Sequence, residues 1–145
     1  MTRRAGSENT EAASPPQLSF SAGVSFSRYI VVSIDNDAPF ASFNILSPIL
    51  HWIQADLKIS SSTNILTAEG PVIVNWIGPD PPPGSGPHRY IFLLYRQPSS
   101  FDSKDYAPHG VQTVGLWPRI RWNIAAWEKK TKVGPPVAVG YFKSS

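Results

Sequence analysis

The chain has 145 residues, with 15 prolines, 10 glycines and 13 Lys+Arg against 10 Asp+Glu, for a net charge of +3. At 41% hydrophobic it is one domain's worth of chain with enough apolar material for a core, which excludes wholesale disorder. There is no cysteine, so disulfide scaffolds, thiolate metal sites and cysteine nucleophiles are excluded, and the scattered cations leave no nucleic-acid footprint.

The longest uncharged apolar run, near 29–34, falls far short of the roughly 20 residues that span a bilayer, so no transmembrane segment is expected. Residues 5–17 hold no apolar leader core, and a cytoplasmic location is expected. Residues 1–17 are small, polar and prolyl; they predict a disordered tail ahead of a single domain over 18–145. The segment 18–26 (LSFSAGVSF) alternates about Gly23 and predicts a short strand, a turn and a second strand edge. The β-branched run 29–34 (YIVVSI) predicts a buried strand that ends in a tight loop, Asp35-Asn36-Asp37-Ala38-Pro39. Residues 49–57 (ILHWIQADL) fit either period, and Pro48 before them with serines 60–62 after them favour a short strand.

A strand at 71–77 (PVIVNWI) leads into 78–87 (GPDPPPGSGP), whose five prolines and three glycines admit neither helix nor central strand. Being short and set between two strands, it predicts an ordered loop. The most apolar segment, 90–95 (YIFLLY), predicts the central strand, and 98–118 read as loop. One helix is expected over 123–132, with Asn123 as its cap, Ile124 and Trp127 on one face and Gly134-Pro135-Pro136 as its stop. A last strand at 137–142 completes an all-β chain with a minor helix.

Two residues apart on extended backbone, Asp35 and Asp37 point to the same side. Arg89 is the candidate partner for Asp37 in a structural ion pair; the alternative is that both carboxylates only make turn hydrogen bonds. His51 and His88, on separate strands, are candidates to converge on a small anion, although a histidine between Leu50 and Trp52 taken alone is more often a satisfied sheet residue. A cis Ala38-Pro39 bond fits the tight loop. Gly84-Ser85-Gly86 lacks the nucleophile elbow, and Asp35, His51 and His88 lack metal-motif spacing, so neither catalysis nor a metal or cofactor is expected.

The segments D-N-D-A-P at 35–39, L-H-W at 50–52, G-P-D-P-P-P-G-S-G-P-H-R-Y at 78–90 and P-V-A-V-G-Y-F at 136–142 carry a resemblance in both order and spacing. Over about 18–142 the chain resembles the phosphatidylethanolamine-binding protein family, as a fungal-type member with a shortened N-terminal part. The resemblance implies a β-sandwich, a large central sheet packed on a smaller one with a C-terminal helix. It also implies a shallow pocket for a small anion, phosphate or a phosphoethanolamine head group. Asp35, His51, His88 and Tyr90 match the pocket's polar wall, and Pro39, Gly78, Pro81 and Pro82 match its rim. Phe142 falls where an aromatic closes the pocket. The implied role is regulatory, with a kinase or protease as partner; the alternative is a protein–protein inhibitor or scaffold with a vestigial pocket.

Three departures bear on this. Asn36 replaces a proline, Phe40 stands where a polar pair often follows, and Asp80 occupies a place that is commonly glycine. An inward Asp80 carboxylate opposes a phosphate and favours a cationic or amine-bearing ligand; among the ligand-binding residues it is therefore the one whose direction decides the chemistry. Fewer residues precede Asp35 than in the family, which predicts an exposed sheet edge open to dimer formation.

Overall fold

The computed structural model describes residues 2–3, 14–109 and 113–145. A small sheet pairs β1 (Thr2–Arg3) antiparallel with β2 (Leu18–Ser19). Residues 2–3 are thus paired where a tail was expected, 14–17 form no helix or strand, and that expectation over 1 and 4–13 lies outside the described residues. Of the two strands expected in 18–26, only the first forms; the next strand begins at Arg28.

The large sheet holds β3 (Arg28–Asp35), β4 (Ile49–Ile59), β5 (Leu66–Ala68), β6 (Val72–Val74), β7 (His88–Arg96) and β8 (Ala138–Ser144). Its order is β5-β4-β3-β7-β8, with β6 also pairing on the outer side of β4, and every pairing is antiparallel. The central strand is β3, not the expected 90–95: β7 lies one place out, between β3 and β8. Every β3 residue after Arg28 is buried, as a β-branched run covered on both faces requires. The expected short strand at 49–57 extends to eleven residues, and the strand expected at 71–77 contracts to three. The reason for the contraction lies in Asn75, whose backbone and side-chain oxygens both bind Arg119 rather than a neighbouring strand.

Each face of the sheet carries its own core. Ile30, Val32 and Ile34 of β3 pack with Ile53, Ala55 and Tyr95 on one face. The helix α1 (Ile124–Thr131) covers it: Trp127 stands edge-on to Tyr95 at 5.5 Å, and the Tyr95 hydroxyl donates to Glu128 at 2.6 Å. Asn123 caps this helix by accepting from the Ala126 N–H at 2.9 Å, as its sequence predicts. On the opposite face Tyr29, Val31, Trp52, Leu57, Phe92 and Leu94 pack together, closed over by Leu18 of the small sheet. That second face ends in the buried polar groups of Asp35, His51, His88 and Tyr90. β8 is an edge, with no further strand beside it among the described residues.

Candidate functional site

A β-bulge builds the site. Across β3 and β4, Ser33 pairs Trp52 and Ile34 pairs Leu50, so His51 is one extra residue opposite no partner. Such a residue is turned out of the regular alternation, and here it joins the face that carries Tyr90 and His88. Asp35 sits directly across from Tyr90. Tyr90 lies between the two imidazoles, 5.1 Å edge-on to His51 and 6.4 Å from His88 between ring centres. The expected convergence of His51, His88, Asp35 and Tyr90 is therefore observed, with all four buried.

Their hydrogen bonds fix them. His88 Nδ1 lies 2.8 Å from Asp35 Oδ2 and its Nε2 lies 3.1 Å from the Pro39 carbonyl. Asp35 Oδ1 accepts the Asp37 N–H at 2.8 Å. The His51 ring places Nδ1 2.7 Å from the Ile77 carbonyl, an oxygen that can only accept, so this nitrogen carries the proton. Burial holds the His51 pKa below its ordinary value. Burial, aided by the Asp35 and Asp80 charges, pushes the Tyr90 hydroxyl well above its ordinary value, and that hydroxyl receives the Asp80 backbone N–H. The wall expected to offer two imidazole donors to an anion thus offers none from His88, and from His51 a bare nitrogen.

Asp37 does pair with Arg89, and bidentately: Nε donates to Oδ2 at 2.8 Å and Nη2 to Oδ1 at 2.6 Å, while the Arg89 backbone N–H reaches Oδ2 at 2.7 Å. This holds Asp37 below the usual carboxylate range. The ion pair is thus observed at Asp37; Asp35 does accept a turn hydrogen bond, but the alternative that both carboxylates make only such bonds does not hold. The loop between them and β4 closes through Ser47, whose Oγ accepts the Ala38 N–H at 2.8 Å. Ala38-Pro39 is cis, as expected, and Ser47-Pro48 is cis as well. In the proline-rich loop, Gly84 and Gly86 hold φ of 78° and 76°, a region that favours glycine.

Beneath the wall lies a residue that the sequence reading passed over. Arg119 is fully buried, and its guanidinium donates only to uncharged oxygens: the carbonyls of Leu50, His51, Asn75, Val114 and Gly115 and the Asn75 side chain. It pins the bulge from behind. Burial lowers its pKa from the ordinary value.

These elements enclose an open cavity of about 650 Å³. Asp35, Pro39, His51, Gly78, Asp80, Pro81, Pro82, His88 and Tyr90 all line it, and so do Leu46, Ile49, Ile77 and Leu116, which were not anticipated. Phe142 does not; it stacks on Tyr90 at 5.2 Å from the neighbouring strand, behind the wall. Its place opposite Tyr90 in the ladder puts it under the ring rather than over the opening. Exposed apolar side chains cluster near the mouth: Phe40, Phe43 and Ile45 on one loop and Leu116 and Trp117 on the turn beside it. The two segments are joined by the Arg121 N–H donating to the Leu46 carbonyl.

Comparison with known proteins places this arrangement. The family model described as phosphatidylethanolamine-binding protein matches residues 1–135. The carboxypeptidase Y inhibitor of Saccharomyces cerevisiae is 35% identical over 92 residues, which cover 54% of this chain and 42% of that protein. CEN-like protein 1 of Nicotiana tabacum is 32% identical over 119 residues, 81% of this chain and 59% of that protein. The chain thus spans about half the length of these relatives. Among solved structures, carboxypeptidase Y inhibitor in complex with its cognate proteinase superposes with a TM-score of 0.70 at 27% identity, covering 92% of this chain and 71% of that one. A phosphatidylethanolamine-binding protein from Plasmodium vivax shares the fold, with a TM-score of 0.66 at 19% identity over 92% of this chain and 73% of that one. With the motif residues gathered around one cavity and the family model matching nearly the whole chain, this chain belongs to the phosphatidylethanolamine-binding protein family.

Proposed function

We propose that the chain is a non-catalytic binding module whose cavity seats a small phosphate-bearing head group of the phosphoethanolamine type, and whose surface engages a protein partner. The cavity carries this reading: about 650 Å³, a mostly apolar lining, and four convergent polar side chains locked by the hydrogen bonds described above. The same bonds speak against catalysis. Asp35 and His88 have the geometry of a base and its orienting carboxylate, yet His88 Nε2 is taken by the Pro39 carbonyl, which leaves His88 no free nitrogen to activate a nucleophile. Titration calorimetry with phosphoethanolamine tests the reading: saturable heat that disappears in His51→Ala supports it, and no heat overturns it.

A second reading is a protease-inhibitor-like protein whose pocket is vestigial. It is favoured by the likeness to carboxypeptidase Y inhibitor, a protein solved with its proteinase, and by the exposed Phe43, Ile45 and Trp117 beside the mouth. Inhibition of carboxypeptidase Y by the chain, unaffected by His51→Ala, is the result that selects it.

A further inference from the structure

We propose that β8 is the interface for a second copy of this chain: two β8 strands pair antiparallel about a two-fold axis and join two large sheets into one. The surface is independent of the cavity. Its case begins with the difference between the two margins of the sheet. One margin is blunted, since β5 and β6 hold three residues each and leave little backbone to pair. The other is β8, seven residues long, which runs beside β7 from Ser144 opposite His88 to Ala138 opposite Leu94 with no register shift. No further strand lies on its outer side among the described residues. The usual protections of an edge are missing: 138–142 hold neither proline nor charge, and no bulge twists the strand away from a neighbour.

The side chains and charges of β8 suit a copy of itself. Val139 and Tyr141 share one face of the strand, in phase with Val137 just before it, and the three are 55%, 66% and 47% exposed. Across the ladder stand Leu93 and Ile91, themselves only half-buried, so the apolar layer runs to the margin of the sheet and stops there unfinished. Pairing about Gly140 sets Val139 against Tyr141 of the second copy and Tyr141 against Val139 of the second copy, a favourable match of an aromatic with a β-branched side chain. Lys143 is the one charged residue of β8, and in this register it lies opposite Val137, with the two lysines about 20 Å apart along the ribbon. A register centred nearer Lys143 would bring the two ammonium groups together. Because the same patch meets itself and the other margin is short, the assembly closes at two copies. The patch is smaller than the about 1,200 Å² that a stable interface buries, so the dimer is weak, with a dissociation constant of roughly tens to hundreds of micromolar.

The test is sedimentation equilibrium of the full chain from about 10 μM to about 1 mM near pH 7, with amide hydrogen exchange at both ends of that range. The average mass is expected to climb from one chain towards two and to stop there. Exchange in β8 is expected to slow about threefold or more at the high concentration, while β3 and β4 are unchanged. Val139→Lys, an exposed change that should leave the thermal midpoint unmoved, is expected to weaken association about tenfold or more, and Val139→Ile to retain it. The exchange measurement uses the unaltered chain, so the test does not hang on how any variant folds. A chain that stays monomeric throughout overturns the proposal and leaves the edge to a strand from another protein. A dimer that survives Val139→Lys, or whose β8 amides exchange as fast as those of the monomer, overturns it by placing the interface elsewhere. Mass that keeps rising beyond two copies overturns the closed pairing.

Discussion

The two ends of the sheet use charge in opposite ways. At the cavity end the carboxylates of Asp35 and Asp37 are buried, and each is held by named hydrogen-bond donors. At the far end a groove of about 530 Å³ is lined by Arg28, Asp56, Glu69, Asp102 and Lys104. There the Arg28–Glu69 pair is as short, at 2.7 Å, but its side chains are 46% and 43% exposed. Equal distances therefore do not mean equal consequences. Water screens the second pair and keeps its contribution to a fraction of a kcal/mol, whereas a buried charge that loses its partner must be desolvated without compensation.

Breaking the cavity end should cost the most. Arg119→Leu strips a ring of buried carbonyls of their donors and is expected to lose about 4 kcal/mol or more in urea denaturation, because each stranded acceptor costs on the order of 1–3 kcal/mol. Asp37→Ala removes three hydrogen bonds to Arg89 and should lower the urea midpoint clearly, though less than Arg119→Leu does, since the Arg89 side chain can turn to water. At the far end Arg28→Ala should change stability by under about 1 kcal/mol, and that change should vanish in high salt. A loss at Arg28 equal to that at Asp37 would end the comparison.

Acid sharpens the same contrast. The folded state holds His51 below its ordinary pKa of 6.5, so it favours the neutral ring: stability is complete above about pH 6.5 and declines as pH falls through the lowered value. Asp37 acts with the same sign further down, below its ordinary 3.8, where protonation removes its hold on Arg89. Thermal midpoints measured from pH 8 to 3 should show both limbs, and His51→Gln should flatten the upper one. The smallest expected effect is at Ser33, whose fully buried Oγ is the one such side-chain atom without a hydrogen-bond partner among the described residues. Ser33→Ala should be neutral or slightly stabilising in the same assay.

Much of this end of the molecule is legible in the residues themselves. The acidic turn, the proline-rich loop and the two histidines are local, and their chemistry leaves few arrangements. What stays hidden depends on pairing at a distance. His51 faces the cavity because β4 carries one residue more than β3 between Trp52 and Leu50, and no pattern within 49–59 announces that slip. Arg119, in a stretch of polar loop and turn, reads as a surface cation until the Asn75 carbonyl and side chain are seen to meet it. Phe142 reads as a strand residue, and only the β7–β8 register shows that its ring stacks on Tyr90 and is not among the residues lining the cavity. The donor count of the wall also depends on which atoms stand opposite each imidazole nitrogen, a matter of ångströms between segments far apart in the chain.

The bulge has a practical corollary. Deleting His51 would bring Leu50 and Trp52 into unbroken succession opposite Ile34 and Ser33, giving a plain ladder at the loss of the bonds its carbonyl accepts from Ile77 and Arg119. The single-codon excision therefore offers a reference form of the protein, one with its apolar layers in register and the His51 imidazole gone from the cavity, against which ligand binding can be compared.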